Sequence, residues 1–187
     1  MSEIHDLIKV RYSPLAFSPI PVEDDKLELL FEAARWAPSS FNEQPWRFIY
    51  SKREEEEAFD NLLSCLIEPN QEWARNAGVL ISIIAKKTFS RNGKDNRHAL
   101  YDTGAAVNNI CLQATDLNLY IRQMAGFSVE KAKAALNVPD DCECVAMLAL
   151  GYLGKEDDLS EGLISRSRAP RIRKELNEIR NKNTWFD

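Results

Sequence analysis

Ala37-Pro-Ser-Ser-Phe-Asn-Glu-Gln-Pro-Trp46 is the stretch on which the reading of this chain turns. It sets hydroxyl and amide side chains between two prolines, a composition that favours turns and local side-chain hydrogen bonds over a helix or a strand. Pro38 ends the helix before it, because proline cannot continue the intrahelical ladder. That helix is predicted over residues 23–37, where Leu27, Leu30, Phe31 and Ala34 recur at i, i+3, i+4 and i+7 and acidic residues fill the first turn. Beyond the loop, Trp46 is a candidate core residue and residues 47–51 read as a short strand.

Further outward, a short opening helix is predicted over residues 3–10 and a helix over 54–67, with Phe59, Leu62, Leu63 and Leu66 as its apolar residues. Residues 79–85 and 144–151 are continuous apolar runs of strand length, the signature of strands buried on both faces. A long helix is expected over 97–117 from Val107, Ile110, Cys111, Ala114 and Leu117, then a short strand at 120–122. Ser128 is placed to cap a helix that stops before Pro139, and residues 172–180 are weakly helical. No repeat or low-complexity linker interrupts the pattern. The expectation is one domain over residues 1–187, α+β in class, with a small central mixed sheet flanked by helices.

Composition narrows the function. The 187 residues carry a formal net charge of −5, which argues against a nucleic-acid partner, since phosphate backbones call for a basic surface. The longest apolar run, residues 78–85, is far too short to span a bilayer, and the opening Met-Ser-Glu-Ile-His-Asp lacks the basic-then-apolar order of a signal peptide. With four scattered cysteines and no disulfide framework, the expected location is cytoplasmic.

The usual catalytic devices are missing. Two histidines cannot assemble a histidine-rich metal site, and no metal site or catalytic side chain is expected. Cys142-Glu-Cys144 reads as strand packing rather than as a redox pair, whose spacing is normally C-x-x-C. Neither a glycine-rich phosphate loop nor a G-x-S-x-G elbow is present. An enzyme of this kind often borrows its chemistry from a cofactor. Arg11-Tyr-Ser-Pro-Leu-Ala-Phe17 offers a cation and a hydroxyl just past a helix end, and Arg171 and Arg173 are two cations at i and i+2, suited to one phosphate if the segment is extended. Taken singly, the three segments read more readily as a surface arginine with a turn serine, a capped loop with Trp46 in the core, and a solvated charge run.

Together, and in this order, several stretches resemble the FMN-dependent nitroreductase family. They are the Arg-x-Ser-x-x-x-Phe opening, the P-S-S-x-N-x-Q-P-W loop, Asn70-Gln-Glu-Trp73, Tyr101-Asp-Thr-Gly-Ala-Ala106, Gln123-Met-Ala-Gly-Phe127, Gly151-Tyr-Leu-Gly154 and the basic tail. The resemblance runs from Ile4 to Phe186. It implies a homodimer with FMN at the subunit interface, NADH or NADPH as electron donor, and a small electron-poor acceptor such as a nitroaromatic or quinone.

Carried over residue by residue, the resemblance places Arg11, Tyr12 and Ser13 on the ribityl-phosphate and ring edge, with Arg171 and Arg173 completing the phosphate site. Pro38, Ser39, Ser40 and Asn42 would come from the partner subunit. Gln123, Met124, Ala125 and Gly126 would run beside the flavin ring, and Asn70 would touch flavin or nicotinamide. Four positions depart from the family pattern. Leu15 stands where the family usually has a cation near the flavin N1–C2=O edge, Phe41 replaces a small residue, Glu175 replaces proline, and Arg122 replaces histidine. Either the ring loses a cation at Leu15, or Leu15 packs and Arg122 supplies the charge. The same fold could also serve as a flavin-binding or sensing protein with little turnover.

Overall fold

The computed structural model describes residues 3–186; residues 1, 2 and 187 of the expected domain lie outside the described residues. The described part is a four-stranded sheet between two helical layers. The strands are β1 (Trp46–Lys52), β2 (Val79–Lys86), β3 (Tyr120–Met124) and β4 (Cys142–Gly151), in the order β1-β2-β4-β3. One face is covered by α2 (Asp24–Arg35) and α5 (Ala99–Asp116), the other by α3 (Glu56–Cys65), α4 (Glu68–Ala74) and α6 (Val129–Ala135). The short α1 (Asp6–Val10) precedes them, and α7 (Glu161–Ser167) and α8 (Leu176–Ile179) follow β4.

All three strand pairings are antiparallel, so the sheet is not mixed as expected. The connections explain this. Helices α3 and α4 go out and come back, so β2 enters at the end where β1 left, with Val79 opposite Lys52. The single long helix α5 does carry the chain across, and β3 runs in the direction of β2. Strand β4 then inserts between those two, pairing Val79 with Leu150 and Tyr120 with Gly151. The parallel relation exists but is never a hydrogen-bonded one.

Central position accounts for the apolar runs. Seven of the eight residues of β2 are buried, and β4 is buried through its last five residues. On α2, Leu27, Leu30 and Ala34 are buried as the spacing predicts, while Phe31 is half-buried and stacks on Phe48 and Tyr50. Ser128 caps α6, its hydroxyl accepting the Lys131 N–H. Two helices escaped the sequence reading. Helix α4 starts at Glu68-Pro69 and shows no apolar period, and α7 buries only Leu163.

Candidate active site

The Arg-x-Ser turn begins where α1 stops. Arg11 is the C-cap residue with extended backbone, and the chain then sinks into the core at Pro14, Leu15, Ala16 and Phe17. Phe17 bridges to Leu153, and a Cβ on Gly154 would lie 2.5 Å from the Phe17 carbonyl, so only glycine lets the two segments lie this close. On this seat the Arg11 guanidinium donates to the Ser13 hydroxyl at 2.8 Å, and Arg122 of β3 donates to the Ser13 carbonyl at 2.8 Å. Tyr12 meets Ser167 of α7 through its hydroxyl at 3.3 Å and stands edge-on to Tyr120. Arg122 is half-buried, and its guanidinium lies 5.5 Å from the Trp73 ring. Burial, and then the charge of Arg166, push its pKa down, with Tyr12 opposing.

Beyond β3 the chain forms a strap over residues 125–127. Its anchor is α4: Asn70 donates from its side-chain amide to the Gly126 carbonyl at 3.0 Å, and the Ile67 N–H reaches the same oxygen at 3.1 Å. Asn70 is buried, and its side-chain N–H holds the strap. Gln123 is exposed on one side of β3, within 3.6 Å of the Cys111 thiol on α5. The Met124 side chain faces the other way into the core, which leaves only its backbone for a ligand. Ala125 is exposed.

The Pro38–Asn42 segment lies elsewhere. Ser39 accepts the Gln44 N–H through its hydroxyl, and the buried carboxylate of Asp102 on α5 accepts the Ser40 N–H at 2.9 Å. Phe41, Asn42 and Gln44 all hold left-handed backbone, with φ of 54°, 55° and 51°. Non-glycine residues, Phe and Gln above all, rarely adopt this, and three together need external ties. Pro38, Phe41 and Asn42 are exposed, and the Phe41 ring leans on Phe89 and Arg91.

The tail arginines do not join this cluster. Arg171 and Arg173 are exposed, and Arg173 donates only to the Ile172 carbonyl. Glu175, in place of proline, caps α8 in a reciprocal pair with Glu178. Leu15 is 1% exposed inside the core, and the cation beside its segment is Arg122. The four cysteines are free and buried, and burial pushes each thiol pKa up, which suits packing rather than nucleophilic work. No grouping of His, Cys, Asp and Glu among the described residues could hold a metal.

The site is therefore rich in cations, hydroxyls and backbone donors, which suits binding and polarising an anionic ligand more than acid–base catalysis. Asp102 stood in the quoted Tyr101–Ala106 stretch without a role of its own, and Arg166 was not singled out from sequence. A carboxylate inside an apolar helical stretch was the available signal for the first, and Arg166 had none, since its helix went unseen.

Comparison with known proteins agrees with this architecture. Residues 8–152 match the Nitroreductase family. An uncharacterized protein of Mycolicibacterium smegmatis is 33% identical over 126 residues, 66% of this chain and 82% of that one. A protein of Archaeoglobus fulgidus, named for NADH dehydrogenase or NAD(P)H nitroreductase activity, is 28% identical over 86% of this chain and 91% of its own length. Among solved structures, an oxidoreductase containing FMN superposes with a TM-score of 0.93 at 31% identity, over 99% of this chain and 94% of that one. A nitroreductase family protein of Clostridium difficile 630 gives 0.73 at 28% identity, over 99% and 100%. With the family model matched over most of the chain and the fold shared, this chain belongs to the nitroreductase family.

Proposed function

We propose that this protein is an FMN-dependent oxidoreductase that takes electrons from NADH or NADPH and passes them to small electron-poor acceptors, nitroaromatics or quinones, in two alternating half-reactions. We further propose that it works as a homodimer. The observation that carries the reading is the position of two ligand-competent regions at separate stations on α5. The Arg-x-Ser turn and β3 meet that helix near Cys111, where Gln123 makes its contact and the Arg11 charge is felt. The Ser39–Gln44 loop meets it at Asp102. Nine residues of helix separate the two, about 14 Å at the α-helical rise. A second copy brings its own loop to the first copy's turn, and the site is completed across the interface.

The exposed surface supports that assembly. Tyr101 is 80% exposed, and with Gly104 and Asn108 it forms an outward stripe at helical spacing on α5. A Cβ on Gly104 would meet nothing within its own chain, so the glycine has no use in the protomer and fits the close approach of another helix. Ile172, Leu176, Ile179 and Trp185 in the tail also expose apolar side chains without cover.

When bound, FMN supplies two-electron chemistry that no side chain here offers. The residues fit it. Arg11, Ser13 and Arg122 supply cation and hydroxyl donors for its anionic parts, and the strap from Gln123 to Gly126 supplies backbone donors for its ring, with Asn70 fixing the strap. The loop from Pro38 to Asn42 supplies the partner's wall, while Arg171 and Arg173 stand exposed in the tail, outside this cluster. Purified protein is expected to be yellow, to release FMN, and to lose its colour anaerobically with NADH or NADPH and regain it on adding a quinone. A colourless protein that takes up no added FMN rules this function out. A yellow protein that neither nucleotide bleaches leaves flavin binding without turnover.

A further inference from the structure

Phe41 holds left-handed backbone, with φ of 54°, and its side chain is 71% exposed. A bulky residue rarely takes that conformation, and strain of this kind collects where a side chain has to be aimed. Beside it stands the turn over residues 88–95. Thr88 bridges to Asp95, the Phe89 N–H reaches the Lys94 carbonyl at 2.8 Å, and Gly93 supplies the positive φ, 69°, that closes the turn. Glu43 ties the turn to the loop, its carboxylate accepting the Ser90 N–H at 2.7 Å. The Ser90 hydroxyl, then that N–H, and then the charges of Lys86 and Arg47 hold the Glu43 carboxyl below its usual pKa. Glu43 is thus already engaged.

Arg91 is not. Its guanidinium lies 4.1 Å from the Phe41 ring centroid and 5.3 Å from that of Phe89, and the two rings meet edge to face at 5.7 Å. Among the described residues Arg91 makes no ion pair. A guanidinium stacked on a ring keeps its N–H edge free for a carboxylate. Over residues 41–47 and 86–95 cations outnumber carboxylates, in a chain whose formal net charge is −5.

We propose that Phe41 and Arg91 form the acceptor side of the active site and select flat aromatic acceptors that carry a carboxylate. This rests on the function and the dimer proposed above, in which the loop walls the partner's site. The exposed ring of Phe41 receives the ring of the acceptor, and the N–H edge of Arg91 receives its carboxylate. Phe89 gives the guanidinium a second ring to rest on. A neutral aromatic acceptor uses Phe41 alone.

The test compares reduction of para-nitrobenzoate and of its methyl ester, which share ring and nitro group, by the FMN-loaded dimer with NADH or NADPH. Arg91→Gln is expected to lower the acid-to-ester ratio of kcat/KM at least about tenfold, the scale of one charge-assisted hydrogen bond, and Arg91→Lys to recover part of it. Raising the salt concentration is expected to lower the ratio in the wild type, where an exposed charge is screened, and not in Arg91→Gln. Phe41→Leu is expected to raise KM for both acceptors about two- to tenfold, the worth of an aromatic pair, and to leave the ratio near that of the wild type. A general folding defect lowers both rates alike and cannot imitate a change of ratio. A ratio in Arg91→Gln within about twofold of wild type, or a wild type that reduces the ester and not the acid, overturns the selection; an unchanged KM for both acceptors in Phe41→Leu removes Phe41 from it. If the wild type reduces neither compound, the function proposed above falls instead, and fluorescence titration with the same two compounds decides. Weaker binding of the acid alone to Arg91→Gln then upholds the pair, and equal or no binding overturns it.

Discussion

The carboxylate of Asp102, buried near the start of the longest helix, accepts the backbone N–H of Ser40 across 62 residues of chain. The bond holds one end of a loop whose next residues, Phe41 and Asn42, have left-handed backbone. Local preference alone would let that loop relax. The tie therefore converts the rigidity of α5 into a fixed loop shape.

Replacing Asp102 separates shape from charge. Asp102→Asn keeps an oxygen that can accept the Ser40 N–H and is expected to stay within about 1 kcal/mol of wild type, whereas Asp102→Ala leaves that donor unmatched at a cost of about 1–3 kcal/mol. Urea unfolding gives the energies, and limited proteolysis within residues 38–44 reports the loop. Equal stability and equal protection in both variants would show that the bond does not hold the loop.

Gly126 and Asn70 form a second such pair. A Cβ at Gly126 would fall 2.7 Å from the Asn70 amide nitrogen and 2.6 Å from Ile67 Cδ1. Gly126→Ala is expected to cost about 1–3 kcal/mol by overpacking and by displacing the amide from the Gly126 carbonyl. Adding Asn70→Ala makes room, so the double variant should lose less than the sum of the two single losses, a coupling of about 0.5 kcal/mol or more. Strict additivity would mean that the amide and the strap do not interact.

The long elements were legible because burial repeats along them. The apolar runs of β2 and β4 and the apolar positions of α2 and α5 appear in the sequence as they appear in the fold. Strand order was not legible, because the insertion of β4 between β2 and β3 depends on contacts between distant segments. The site divided in the same way. Arg11 and Ser13 could be read from a local motif and do touch. The use of Asn70 depends on a carbonyl 56 residues away, and Arg166 sits on a helix too short and polar to announce itself.

Gly104 tests the assembly. Its outward position on α5 and the empty space around its Cβ mean that Gly104→Glu should leave the protomer folded, and even raise its helix propensity by about 0.5–1 kcal/mol. A carboxylate placed on the proposed helix contact should instead break the dimer. Light scattering on a sizing column is expected to show a dimer for the wild type and a monomer for the variant. An unchanged mass would remove α5 from the interface.

Acid should loosen the clasp between the start of α2 and the end of β4. The Tyr152 hydroxyl donates to Glu23 at 2.7 Å, and with the residue's own backbone N–H and Lys26 it lowers the Glu23 pKa from 4.5 to about 2. A folded pKa below the unfolded one means stability that is present above 4.5 and is lost as pH falls toward 2. Tyr152→Phe should flatten that part of the stability curve and leave the neutral range nearly parallel to wild type. The same slope in both proteins would exclude Glu23 as its source.

Leu15 offers the sharpest contrast between sequence and structure. Its position suggested a missing cation at the flavin edge, and Leu15→Arg would then restore it. The side chain is instead 1% exposed, packed with Phe17 and Trp73 in one cluster, and the neighbouring cation is Arg122. An arginine at position 15 would bring an unpaired charge into that cluster beside existing guanidinium groups, at a cost of about 3–5 kcal/mol by analogy with broken buried ion pairs. Leu15→Met keeps volume and apolarity and should cost less than about 1.5 kcal/mol. Denaturant midpoints of the two variants distinguish packing from charge. If Leu15→Arg is as stable as Leu15→Met and raises the reduction potential of bound flavin, position 15 reaches the ring after all; a large loss of stability for arginine alone places the cationic function on Arg122.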